Sequence, residues 1–90
     1  MAQVIQSGTP VNLTGTGSVS LRPGTLLGFY VNSTSTGTIV IGNGSGSAGT
    51  AISGTITPAI GWHEFPAYCT VGCYVTIANT LNVTLFFAAG

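Results

Sequence analysis

Charge is what this chain has least of. Its 90 residues include one cation, Arg22, and one carboxylate, Glu64, with no Lys and no Asp. Charged residues make up 2% of the sequence, against about 25% in an ordinary soluble domain. Phosphate backbones are held mainly by Lys and Arg, so nucleic acid is excluded as a partner. A surface without charge also tends to associate, so the chain reads as a part that works while packed against other protein.

Other absences narrow the reading further. No window carries apolar residues at i, i+3, i+4 and i+7 over three turns, and Gly (14 residues) recurs too often for helices. No stretch approaches the roughly 18–20 consecutive apolar residues of a membrane-spanning helix. Met1-Ala2-Gln3-Val4-Ile5-Gln6 has neither a basic nor an apolar signal region, so the expectation is synthesis in a cytoplasm. Four Asn-x-Ser/Thr sequons occur, at Asn12, Asn32, Asn43 and Asn82. In a chain so rich in Thr and Ser they follow from composition.

Catalytic and metal chemistry lacks material. General acid–base work usually needs two titratable groups with pKa values pushed apart. His63 and Glu64 are adjacent, and on a strand they point to opposite faces. Without Asp no Ser-His-Asp set can be built. Cys69-Thr70-Val71-Gly72-Cys73 gives half a metal site at most. A disulfide across this turn is open if the Cα atoms approach within about 7 Å, but two buried thiols acting as small apolar side chains are the simpler reading. No enzyme, cofactor or metal is expected.

What is present points to strands. The hydrophobic share is 44%, and Thr and Gly supply strands and turns. Cys73, Val75 and Ile77 alternate with Tyr74, Thr76 and Ala78. Leu81, Val83, Leu85 and Phe87 alternate with Asn82, Thr84 and Phe86. The break at Asn79-Thr80 predicts a hairpin. Leu27, Phe29 and Val31 are assigned to one face, Leu26 and Tyr30 to the other. Ile39 and Ile41 point inward, after a polar turn at Asn32–Gly37. Shorter strands are predicted near Val11–Leu13, Ser18–Leu21, Thr50–Ser53, Gly54–Thr57 and Trp62–Phe65, bounded by Gly or Pro. The sum is an all-β fold, an antiparallel β-sandwich or jelly roll of about eight short strands. Residues 1–10 are expected to form an arm or tail, with Val4 and Ile5 favouring an arm, and residues 11–90 a single domain. Thr36-Gly37-Thr38-Ile39 and Ser53-Gly54-Thr55-Ile56 resemble each other, but two copies fall short of the three units a solenoid requires.

The aromatic residues are the remaining candidates. Trp62, Tyr30, Tyr68 and Tyr74, among Asn, Thr and Ser, are the means by which a protein binds sugar, and equally serve as core or interface anchors. Arg22 and Glu64 are read as an internal pair or as interface contacts. The predicted interface set is Arg22, Tyr30, Trp62, Glu64 and Phe86.

The stretch from Gly24 to Ile39, GTLLGFYVNSTSTGTI, together with Ile52 to Trp62, ISGTITPAIGW, and the closing Leu81 to Phe87, LNVTLFF, resembles small virion proteins of tailed bacteriophages. That resemblance implies a capsid decoration or cement protein. Such a protein sits on the outer surface of the head as a homo-oligomer, often a trimer, and clamps neighbouring major capsid subunits. The alternative in the same texture is a tail or head-fibre module with a carbohydrate- or receptor-binding surface. No functional residue is carried over by the resemblance.

Overall fold

Two long strands carry most of the architecture. The computed structural model describes residues 8–46 and 49–89. Among them it places six strands and no helix: β1 (Thr9–Leu13), β2 (Gly17–Ser20), β3 (Gly24–Asn43), β4 (Thr50–Ala51), β5 (Gly61–Cys69) and β6 (Cys73–Ala89). All belong to one antiparallel sheet. β3 and β6 run to 20 and 17 residues, where about 5–6 is usual. They pair along nearly their whole length, from Gly24 opposite Ala89 to Asn43 opposite Cys73. At one end of this ribbon β1 adds to β6 and β5 to β3. At the other, β2 adds to β6 and β4 to β3.

The ribbon cannot be straight. Drawn out, a 20-residue β3 would span about 63 Å, yet the longest dimension of the molecule is 41 Å. The reason is the link Thr70–Gly72. It joins Cys69, opposite Gly24 at one end of β3, to Cys73, opposite Asn43 at the other. Four Cα–Cα steps reach about 14 Å at most, so the two ends of β3 are drawn together and the sheet folds over on itself. Asn43 pins the link: its Nδ2 donates to Thr70 Oγ1 (2.9 Å), and its Oδ1 accepts from Val71 N (3.0 Å). Gly44 N donates to Gly72 O at 3.0 Å.

The bend is made by irregularities in the pairing. Register shifts fall between Val31 and Ser33 and between Ser35 and Thr36, and each bulge bends and twists a strand. Thr36 and Asn79 both adopt positive φ, 56° and 62°. Asn79 Nδ2 donates to Thr36 O at 2.9 Å across the corner. Gly37 is required beside it, because a Cβ there would lie 2.7 Å from Leu81 Cβ and closer still to the Thr80 carbonyl oxygen. The predicted turn at Asn32–Gly37 and the predicted hairpin at Asn79-Thr80 are therefore corrected. Both are the corner of one continuous ribbon. Positive-φ and Gly residues serve a bent ribbon as well as a tight turn, so local sequence signals alone could not separate the two.

Inside the fold lies one apolar cluster drawing on both halves. It includes Leu26, Phe29, Val31, Leu81, Val83, Leu85 and Phe87 from one part, with Val19, Ile39, Ile41, Val75 and both cysteines. Among the described residues no polar side chain is buried. The alternation expected on β6 and at Ile39 and Ile41 is observed. The phase of β3 is not: a bulge between Leu26 and Gly28 turns Leu26 inward and leaves Leu27 half-buried. A one-residue shift exchanges the faces of a strand, and Leu27 thereby joins Tyr30 outside.

Fewer strands form than the eight expected. Predicted pairs merge into β3 and β6, and Gly54–Thr57 contributes one bridge, Ile56 to Ile39. The two similar tetrapeptides thus pair with each other. The first strand of the described residues, β1, begins at Thr9. Val4 and Ile5 of the predicted arm lie outside the described residues.

The corner makes a contrasting prediction. Gly37→Ala should lower the urea unfolding free energy by about 1–3 kcal/mol, since the added methyl meets backbone. Thr36→Gly should raise it by up to about 1 kcal/mol, because a β-branched residue in the left-handed region is strained. The reverse order would show that the ribbon does not turn here.

Candidate functional site

The outer face of the half bearing β1 and β5 is read directly from the register. Antiparallel partners share a face, so rows cross the sheet. One row runs Asn12, Thr84, Tyr30, Trp62 over β1, β6, β3 and β5; the next runs Pro10, Phe86, Gly28, Glu64. Along β5 the alternation is regular: Trp62, Glu64, Pro66 and Tyr68 are exposed, while His63, Phe65 and Ala67 are half-buried.

These rows build a groove of about 510 Å³, lined chiefly by Leu27, Tyr30, Trp62, Glu64, Pro66 and Phe86. Trp62 is 50% exposed and Tyr30 44%. The indole is held in place from two sides. Its edge meets Phe86, with ring centroids 5.7 Å apart at 65°, a favourable T-shaped geometry. Its six-membered ring lies over Gly28, where a Cβ would come within 2.6 Å of Cη2 and 2.7 Å of Cζ2. Gly28 is therefore the seat of the indole.

Beside the aromatic groups lies a polar ladder. Asn12 Nδ2 donates to Asn82 Oδ1 (2.8 Å) and Thr84 Oγ1 (3.1 Å). Asn32 Nδ2 donates to the same two oxygens, at 3.2 and 3.0 Å. Three sequon asparagines from three strands thus fix one another, while the fourth, Asn43, holds the link Thr70–Gly72.

Of the five predicted interface residues, Tyr30, Trp62, Glu64 and Phe86 come together in this groove. Arg22 is not among its lining. It sits in the turn between β2 and β3, where the Ser20 hydroxyl accepts from Arg22 N (3.1 Å) and donates to Arg22 O (2.9 Å). Around that turn gather exposed apolar groups: Leu21 (69% exposed), Val71 (53%) and Tyr68 (57%). The sugar-binding candidates also divide. Tyr74 lies on the other half of the sheet, in a hollow of about 110 Å³ with Val40 and Thr76.

The sequence reading missed Gly28, Leu27 and the asparagine ladder. The ladder left a trace as sequons, but only the register joins Asn12, Asn32 and Asn82. His63 and Glu64 do point to opposite faces: His63 stacks on Phe29 (5.3 Å) and its Nε2 meets Ala59 O at 2.7 Å, whereas Glu64 faces the groove. Among the described residues no group of three or more potential metal ligands occurs.

Cys69 and Cys73 are fully buried free thiols. Each influences the ionisation of the other. Burial pushes Cys69 up from its ordinary value, with the bond to Cys73 opposing. Burial pushes Cys73 up to about 12, with the charge of Cys69 and their hydrogen bond adding.

Comparison with protein-family models, with curated proteins and with solved structures returned no match.

Two predictions arise from this geometry. Gly28→Ala should unseat the indole, red-shifting the emission of the single tryptophan and costing about 1–3 kcal/mol in stability. Unchanged emission would mean that Trp62 does not rest on Gly28. The second concerns pH. An unfolded thiol ionises near 9 and folded Cys73 only near 12, so below pH 9 both states keep the proton. Between those values the unfolded chain releases it first, and stability falls as pH rises. Urea midpoints measured from pH 8 to 11 should decline less steeply in Cys73→Ala than in the parent.

Proposed function

We propose that this chain is a non-enzymatic structural protein of a virion, a decoration or cement subunit that binds the outside of a bacteriophage head and ties neighbouring major capsid subunits together. The fold is read as a small sandwich or jelly roll, its bent sheet enclosing one core. The protein acts as a homo-oligomer, with a trimer as the expected form, and neither nucleic acid nor membrane is a partner.

The observation that carries this reading is the chemistry of the end formed by the β2–β3 turn and the β5–β6 link. Leu21, Tyr68 and Val71 are all more than half exposed there, and among the described residues the charged side chain of the β2–β3 turn is Arg22. Large apolar side chains around one arginine are the composition of protein–protein contacts. Thr, Ser and Asn elsewhere keep the free subunit hydrated, and against a neighbour they cost far less to desolvate than Lys or Glu. Several weak contacts made at once by a symmetric oligomer give firm attachment without a strong single site.

The test is binding of purified protein to heads that lack it, followed by sedimentation. Attachment should change little between about 50 and 500 mM salt, because there is almost no charge to screen. Val71→Asp should weaken it at least about tenfold, equivalent to ~1.4 kcal/mol. Release by moderate salt, or failure to bind heads at all, would remove the proposal.

A further inference from the structure

The groove on the β5 side has a chemistry different from the apolar end, and the decoration reading makes no use of it. We infer that it is a binding site for a neutral pyranoside sugar, held against Trp62 and read by the asparagine–threonine ladder. The inference does not depend on where the protein sits on a particle.

Size comes first. Ligand sites usually enclose about 300–1,000 Å³ and combine apolar walls with a few placed polar groups; this groove measures about 510 Å³. Its base is a sheet face built from β3, β5 and β6.

The platform comes next. Trp62 is half exposed yet fixed by Gly28 below and Phe86 at its side. The face of an indole carries negative charge density, and the C–H face of a pyranose ring presents weakly positive hydrogens to it. A rigid aromatic surface loses little entropy on binding. Tyr30, directly opposite Trp62 in the register, extends the platform and adds a hydroxyl.

Across Tyr30 from Trp62, beyond the residues that line the groove, the ladder supplies both halves of a polyol's hydrogen bonding. Thr84 Oγ1 and Asn82 Oδ1 each accept two amide donors. That leaves the Thr84 hydroxyl proton and the Asn82 Nδ2 as donors. Asn12 and Asn32 donate through Nδ2 and keep their Oδ1 atoms as acceptors. Sugar hydroxyls both give and take hydrogen bonds, and these groups are already oriented by one another.

Charge then selects the class. Among the described residues Glu64 is the only charged group lining the groove. Its carboxylate accepts from hydroxyls and repels anions, and among the described residues no cation lines the groove beside it. Sialylated, sulfated and phosphorylated glycans are therefore disfavoured, and neutral hexosides fit.

The experiment uses the single tryptophan as reporter. The full chain is titrated with the methyl glycosides of glucose, galactose, mannose and N-acetylglucosamine and with their neutral oligomers, alongside sialyllactose. At least one neutral sugar should give a saturable fluorescence change with a Kd between about 0.1 and 10 mM, and sialyllactose should give none in that range. By calorimetry, Trp62→Ala should abolish binding. Thr84→Val should weaken it at least about fivefold, with cooperative urea unfolding retained in both variants, and Arg22→Ala should leave it intact. If Trp62→Ala does not fold cooperatively, Tyr30→Ser serves in its place. No saturable response to any neutral sugar up to about 50 mM, binding that survives these groove variants, or a preference for sialyllactose would each overturn the inference. None of these results bears on attachment to heads, which Val71→Asp tests separately.

Discussion

The short link between β5 and β6 is the constraint on which the rest of the structure depends. Three residues, Thr70–Gly72, tie together the opposite ends of a ribbon that would otherwise extend about 63 Å. Once that connection is closed, the ribbon has to bend, and a bend needs bulges and positive φ at Thr36 and Asn79. Bending brings the inner faces of both halves together, so Phe29 and Leu85 share a core with Ile41 and Val75. The two buried thiols flank the link, and Asn43 holds it from the strand that it joins. The outer faces are left free by the same act, one carrying the aromatic groove and the other the small hollow at Tyr74.

How much of this was legible in the residues can be judged element by element. The class was, because Val83, Leu85 and Phe87 alternate with Thr84 and Phe86 over a stretch that admits no helix. The inward face of β6 followed from the same period. Connectivity did not follow, and the reason is physical. Asn79-Thr80 and Ser35-Thr36-Gly37 satisfy the local requirements of a reversing turn and of a bent ribbon equally. The choice is made by Cys69 and Cys73 pairing with opposite ends of β3, which is a long-range fact. Leu27 failed for a related cause, since a bulge costs one residue of phase and leaves no mark of its own in composition. At the candidate site, residue type was enough to single out Tyr30, Trp62, Glu64 and Phe86. It could not separate Arg22 from them, nor show that Gly28 is where the indole rests.

The scarcity of charge takes on a local meaning in this frame. With no buried polar side chain among the described residues, the interior needs no ion pair, and stability rests on apolar burial and the backbone ladder. The two charges stand apart in role: Arg22 beside exposed Leu21 at the apolar end, Glu64 inside the groove. Amide and hydroxyl groups replace charge on the outer sheet, and they do so in fixed positions, because each satisfies its neighbour across the strands. A lysine or glutamate in place of these amides would be hydrated and mobile. Asn12, Asn32, Asn82 and Thr84 are ordered before anything binds.

That ordering is the ground for proposing different partners for two surfaces of one small domain. Binding loses free energy when flexible groups are immobilised. The apolar end presents side chains on a turn and a link, where burial area is the main gain and small adjustments of fit are tolerated. Trp62 and the ladder stand on four paired strands, so their positions are set by register and their spacing cannot adapt. Adaptable apolar contacts favour a broad protein neighbour engaged at several points, whereas a fixed array of donors and acceptors beside a flat ring favours a small rigid ligand of matching shape. The division therefore arises from the fold: the fold-over that closes the core puts the β2–β3 turn and the β5–β6 link at one end and leaves β1, β6, β3 and β5 side by side, with rows of side chains set by the register.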